Sequence, residues 1–180
     1  MLVPAGGNTM FKKILVPLDG SSAAEAAIEM ACYLAGLVSG QIILVRCTSL
    51  EGDFGDPPGF PIPLEAIEAE RTYCESYLKD QVAQIRERGL EADYEVLGSG
   101  DAAVQIVAIA RELGSHVIVL TSHGRSGIKH LLLGSVAEKV CRSAPCPVLM
   151  VGPSSTLLRQ TKDKLTRPRQ AETVPESEPA

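Results

Sequence analysis

Short apolar runs alternate along this chain with longer stretches in which apolar residues recur every third or fourth position. Lys12 to Leu18 is a compact apolar run that reads as a buried strand and stops at D-G-S-S, Asp19 to Ser22. Ser22 precedes Glu25 by three residues, a capping-box spacing that predicts a helix start. Ala23, Ala27, Ile28, Ala31, Leu34, Ala35 and Val38 then follow at helical spacing, and Gln41 to Cys47 is a second strand run. The Pro- and Gly-rich stretch Ser49 to Pro63 reads as a loop. Beyond it, Ile67, Cys74, Leu78, Val82 and Ile85 mark a long amphipathic helix over Leu64 to Arg88, closed by Gly89. Glu91 to Leu97 alternates as a strand. Asp101 caps a third helix with an apolar stripe of Ala103, Ile106, Val107 and Ala110, which Gly114 ends. His116 to Thr121 is a fourth strand, a helix starts at Ser135, and Pro147 to Val151 is a last short strand.

Strands that read as continuous Val/Ile/Leu runs and alternate with helices predict a parallel sheet covered on both faces. The expected fold is α/β: a single-domain, open five-stranded parallel sheet in the order 3-2-1-4-5. Residues 11–152 form that domain, 1–10 are a loose N-terminal extension, and the Pro-containing, aperiodic stretch 153–180 is a disordered tail.

Composition narrows the function classes. A formal charge of -5 offers no basic patch for general nucleic-acid binding. No apolar run reaches membrane-spanning length, and the run after Lys13 is too short for a secretory signal. Cys32, Cys47, Cys74, Cys141 and Cys146 form no C-x-x-C pair and suit a reducing compartment, so a cytoplasmic protein is expected. His116, His123 and His130 lack a zinc spacing, and no nucleophile–base–acid set assembles. The chain reads as one that holds a ligand without transforming it; it is not expected to be an enzyme.

In an open parallel sheet the ligand crevice lies beyond the carboxyl ends of the strands where their order reverses, here between the first and fourth. The loops leaving those strands are D-G-S-S and the segment T-S-H-G-R-S-G-I-K-H-L-L-L-G-S, Thr121 to Ser135. Glycines at 124 and 127 would let backbone amides approach phosphate oxygens, and Gly134-Ser135 at a helix start would form a second arm. Arg125 and Lys129 add positive charge. Ser135 and Glu138 also form a capping box, so Ser135 alternatively serves its own helix. Asp19 would reach a ribose hydroxyl or lie near a phosphate-bound metal, since Ser22 already supplies the cap; the alternative is a plain turn and cap. The stretch G-S-G-D-A-A, Gly98 to Ala103, imitates a dinucleotide fingerprint, but Thr121 and Ser122 stand where that motif needs an acidic residue, which favours a tight turn.

The runs I-L-V-P-L-D-G-S (Ile14 to Ser21), G-D-A-A-V-Q-I (Gly100 to Ile106), Val117 to Val140 and C-P-V-L-M-V (Cys146 to Val151) resemble the universal stress protein family across Phe11 to Val151. That resemblance implies an adenine-nucleotide alpha hydrolase-like fold. The ATP-binding branch resembles G-x-x-G, nine residues, then G-[ST]; here Thr121 occupies the first glycine position, Gly124 the second, and Gly134-Ser135 follow at the same spacing. It implies a nucleotide site built from Pro17, Leu18, Asp19, Cys47, Leu120, Thr121, Ser122, His123, Gly124, Arg125, Gly127, Gly134, Ser135 and Val136. It further implies ATP, with Mg2+ or Mn2+ held mainly by the phosphates, a homodimer paired through Pro147 to Val151, and a regulatory role in stress response. Two other readings stay open: a dimeric interaction module that binds no nucleotide, favoured by Thr121, and a binder selective for AMP or cyclic AMP.

Overall fold

The computed structural model describes residues 11–48, 63–122 and 133–152. Its elements run β1 (Lys13–Pro17), α1 (Ser22–Val38), β2 (Gln41–Cys47), α2 (Leu64–Glu87), β3 (Glu91–Leu97), α3 (Ala102–Glu112), β4 (Val117–Thr121), α4 (Ser135–Ser143) and β5 (Val148–Val151). All four pairings are parallel and the sheet order is β3-β2-β1-β4-β5. The expected α/β fold and strand order are therefore the observed ones. Readings of the N-terminal extension, the loop before Pro63, the glycine-rich crossover 123–132 and the tail lie outside the described residues.

Alternation along each strand divides the core in two. Ile14, Val16, Ile42 and Leu44 face α1 and α2, where Ala27, Ile28, Ala31, Leu78, Val82 and Ile85 complete one cluster. Leu15, Ile43, Val45, Ile118 and Leu120 face the other way, against Ile106, Ile109 and Ala110 of α3 and Ala137 and Val140 of α4. Each large aliphatic side chain buried in this way contributes about 1.5–3 kcal/mol of transfer free energy. Small residues on α1 (alanines at 24, 27, 31 and 35) bring that helix close over the centre of the sheet.

Two details of α1 differ from the sequence expectation. Its N-cap is Ser21, whose Oγ accepts from Ala24 N at 3.1 Å, and not Ser22, which is the first helical residue. The buried stripe begins at Ala24, while Ala23 is exposed. The reason for the cap lies two residues before it: Asp19 Oδ1 accepts from both Ser21 N (2.9 Å) and Ser21 Oγ (2.6 Å), which orients the hydroxyl of Ser21 for capping. Helix α3 starts as expected, with Asp101 Oδ1 accepting from Ala103 N (2.9 Å) and Val104 N (3.4 Å).

The two sheet edges are unlike. On β3, Glu91, Asp93 and Glu95 are exposed, which discourages further pairing. The opposite edge, β5, is the run V-L-M-V, with Leu149 36% exposed.

Candidate functional site

The strand order reverses between β1 and β4, which lie side by side in register at Ile14–Val117 and Leu15–Ile118. Helices α1 and α4 begin just beyond the carboxyl ends of these two strands. Two helix N-termini, each with partial positive charge and unpaired amides, therefore flank the switch point.

On the β1 side, Pro17 is partly exposed and Leu18 is buried; Leu18 N donates to Val45 O at 2.8 Å, which carries the pairing with β2 one residue past the strand. Asp19 then turns the chain into α1 through its two bonds to Ser21. It thus has a structural part as well, which the assignment of the cap to Ser22 had concealed. Gly20 follows with φ +83°, a backbone conformation that side-chain-bearing residues rarely adopt. Cys47 closes β2 beside this loop, partly buried, with its thiol pushed up to about 11 by burial and, to a lesser degree, by Cys74 and Asp101. It is a neutral, poorly nucleophilic thiol near pH 7, fit for packing.

On the β4 side, Leu120 is buried and Thr121 and Ser122 are partly buried. Gly134 N donates to Ser122 O at 2.8 Å, so the two ends of the crossover are pinned together at the base. A Cβ on Gly134 would come within 3.2 Å of that same oxygen. The Gly134 amide is consequently occupied, and the donors left at the start of α4 are those of the following residues. Ser135 and Val136, both exposed, head the helix, and Glu138 N is the first to bond back, to Gly134 O at 2.9 Å. The capping-box alternative for Ser135 does not form: Gly134 is the N-cap, no side-chain cap bond is made, and Glu138 pairs with Arg142 at 2.8 Å. His123, Gly124, Arg125 and Gly127 lie outside the described residues.

The neighbouring loop after β3 is a turn and not a dinucleotide fingerprint. Gly100 has φ +113°, Gln105 Nε2 donates to Ser99 O at 3.0 Å, and Asp101 caps α3. Lys139 Nζ of α4 reaches Asp101 Oδ2 at 2.7 Å, tying the start of α3 to that of α4 across the crevice end of the sheet. His116 Nδ1 accepts from Lys12 N at 3.0 Å, a structural role. No group of three or more His, Cys, Asp or Glu side chains capable of holding a metal occurs among the described residues, and no helix among them is long and apolar enough to cross a membrane.

One residue near the site escaped the reading of the sequence. Arg46, 3% exposed, lies at the end of β2 beneath the Asp19–Ser21 turn. Its signal was the single charged letter inside the apolar run Q-I-I-L-V-R-C, in a strand expected to be covered on both faces.

Comparison with known proteins agrees with this arrangement. The chain is 33% identical over 151 residues to the universal stress protein YxiE of Bacillus subtilis, a match spanning 79% of this chain and 99% of YxiE. Among solved structures, a universal stress protein from Archaeoglobus fulgidus in complex with dAMP superimposes with a TM-score of 0.55 at 24% identity, covering 78% of this chain and 98% of that one. A universal stress protein in complex with cAMP superimposes with a TM-score of 0.60 at 19% identity, covering 79% and 98%. Residues 10–152 match the model of the universal stress protein family, and with the doubly covered 3-2-1-4-5 sheet in place the chain belongs to that family.

Proposed function

We propose that the crevice between the loops after β1 and β4 binds an adenine nucleotide, ATP in the first place, and that the protein is a nucleotide-dependent stress-response regulator in the cytoplasm and not a catalyst. The observation that carries this reading is the pair of helix N-termini at the switch point, of which that of α4 keeps its Ser135 and Val136 amides clear of any capping side chain. Phosphates would meet these amides and the Ser135 hydroxyl. The sugar would rest toward Asp19, and the base would lie against Pro17, Leu18 and the main chain of Cys47. His123, Gly124, Arg125 and Gly127 would complete the phosphate arm. With no carboxylate–histidine cage among the described residues, Mg2+ or Mn2+ would be held mainly by the phosphates.

A narrower ligand choice, AMP or cyclic AMP, draws support from the two structural relatives described as complexes with dAMP and cAMP. The contrast between the acidic β3 edge and the apolar β5 edge supports a homodimer paired through β5.

Calorimetric titration of the full chain with ATP, AMP and cAMP, with and without Mg2+, tests the reading. Saturable ATP binding is expected, raising stability by about 2.7 kcal/mol at a hundredfold excess over Kd. A Ser135→Glu variant keeps a favourable acidic residue at the helix start but repels phosphate, so it should weaken ATP while sparing adenosine. No heat and no thermal shift at millimolar nucleotide would leave the interaction-module reading in its place.

A further inference from the structure

Arg46 is a cation in a place where charges are expensive. By strand alternation its side chain leaves β2 on the face shared by Ile42 and Leu44, the face covered by α1 and α2. There the guanidinium carbon lies 5.1 Å from the ring centroid of Tyr73 and 5.0 Å from that of Tyr77. Nη1 is buried without a hydrogen-bond partner, and no carboxylate among the described residues forms an ion pair with the group. Two aromatic faces offset part of the desolvation of the charge. They do not remove the orphaned donor, and an apolar residue of similar volume would ordinarily serve stability as well or better.

What lies above the guanidinium gives the charge a purpose. A Cβ at Gly20 would stand 2.7 Å from Nη1, 3.1 Å from Cζ and 3.2 Å from Nη2, so the backbone of the turn between Asp19 and Ser21 rests directly on it. Tyr77 donates its hydroxyl to Glu25 Oε1 at 3.1 Å, in the first turn of α1, which links the support to the helix that the turn opens. That hydroxyl is pushed well above its usual range, mainly by burial and then by Glu25; Asp19 adds to the effect and Arg46 opposes it, so both charges are felt at one point.

We infer that Arg46 is a positioning residue of the nucleotide crevice: seated between Tyr73 and Tyr77 under Gly20, its guanidinium sets the backbone of the Asp19 turn against which the nucleoside rests. The inference depends on the crevice being the nucleotide site. Buried beneath the turn, Arg46 acts through it, so its influence falls on the nucleoside and is the same whether or not phosphates follow.

Titration of wild type and Arg46→Met with adenosine and with ATP, alongside the Tm of each, tests this. Methionine keeps the apolar stem but ends one atom short of Cζ, away from Gly20. The variant should be at least as stable as wild type, yet bind adenosine and ATP each about tenfold more weakly. Unchanged affinity for both would reduce Arg46 to packing, and a loss confined to ATP would make it a long-range attractor of phosphate; either result overturns the inference. A wild type that binds neither ligand would defeat the crevice reading and this one with it, whereas a binding wild type with an unaffected variant defeats only this one. If Arg46→Met does not fold, Gly20→Ala disturbs the same contact from the turn side. Equal losses for both ligands are then expected, and unchanged affinity overturns the inference.

Discussion

Replacing Gly20 with alanine should destabilise the protein by an amount that depends on what occupies position 46. Two effects add. At φ +83° any residue with a Cβ is strained, at roughly 1–2 kcal/mol. The new methyl would also stand 2.7 Å from Arg46 Nη1, so the buried guanidinium would have to shift from its seat beside the two tyrosine rings. Overpacking of that kind costs about 1–3 kcal/mol. The sum is about 2–5 kcal/mol, or a fall in Tm of roughly 4–20 °C for a domain of this size. In an Arg46→Met background the three atoms nearest the new methyl are absent, so only the backbone strain of roughly 1–2 kcal/mol remains. Urea denaturation of wild type, both single variants and the double variant closes the cycle, with a coupling of about 1–3 kcal/mol expected. An equal effect of Gly20→Ala in both backgrounds would show that the turn does not rest on the guanidinium.

The cap of α1 gives a second test. Ser21→Ala removes the acceptor of Ala24 N and a donor to Asp19, and should cost about 1–2 kcal/mol in urea, whereas Ser22→Ala should stay within about 0.5 kcal/mol; the reverse order would return the cap to Ser22. Burial raises the thiols of Cys32 and Cys47 from 9.0 to about 11. The folded state then holds protons that the unfolded chain releases, so their contribution is constant below pH 9 and is lost as pH rises toward about 11. Between pH 8 and pH 10 the urea midpoint should fall less in a Cys32→Ala, Cys47→Ala double variant than in wild type, and equal falls would refute the linkage.

Much of the fold was legible because each element carries its own signal. The bounds of β2 and β3 are those predicted from the apolar run of the one and the alternation of the other, since a central strand is buried on both faces and an edge strand such as β3 alternates buried with exposed positions. Asp101 marked the start of α3 because a short acceptor before an apolar stripe satisfies amides that nothing else reaches. At α1 the same logic met two adjacent serines, and spacing alone chose the wrong one. The choice belonged to Asp19, whose carboxylate takes both the amide and the hydroxyl of Ser21. Ala24, three residues before Ala27 and four before Ile28, lies on the face they bury, while Ala23, about 100° away on the helix, is exposed.

By itself the sequence determined the order of elements, the parallel sheet and its switch point, because periodicity and caps are local and the handedness of crossovers leaves few ways to join them. It also placed Asp19 and Gly134 in facing loops. Only the tertiary structure decided which donors those loops have left: Gly134 N is taken by Ser122 O, and Ser135 makes no cap. Only it set a lone guanidinium between two rings beneath a glycine. Hydrogen-bond partners and buried charges depend on which distant residues share a point in space, and residues 20, 46 and 77 have no local pattern that joins them.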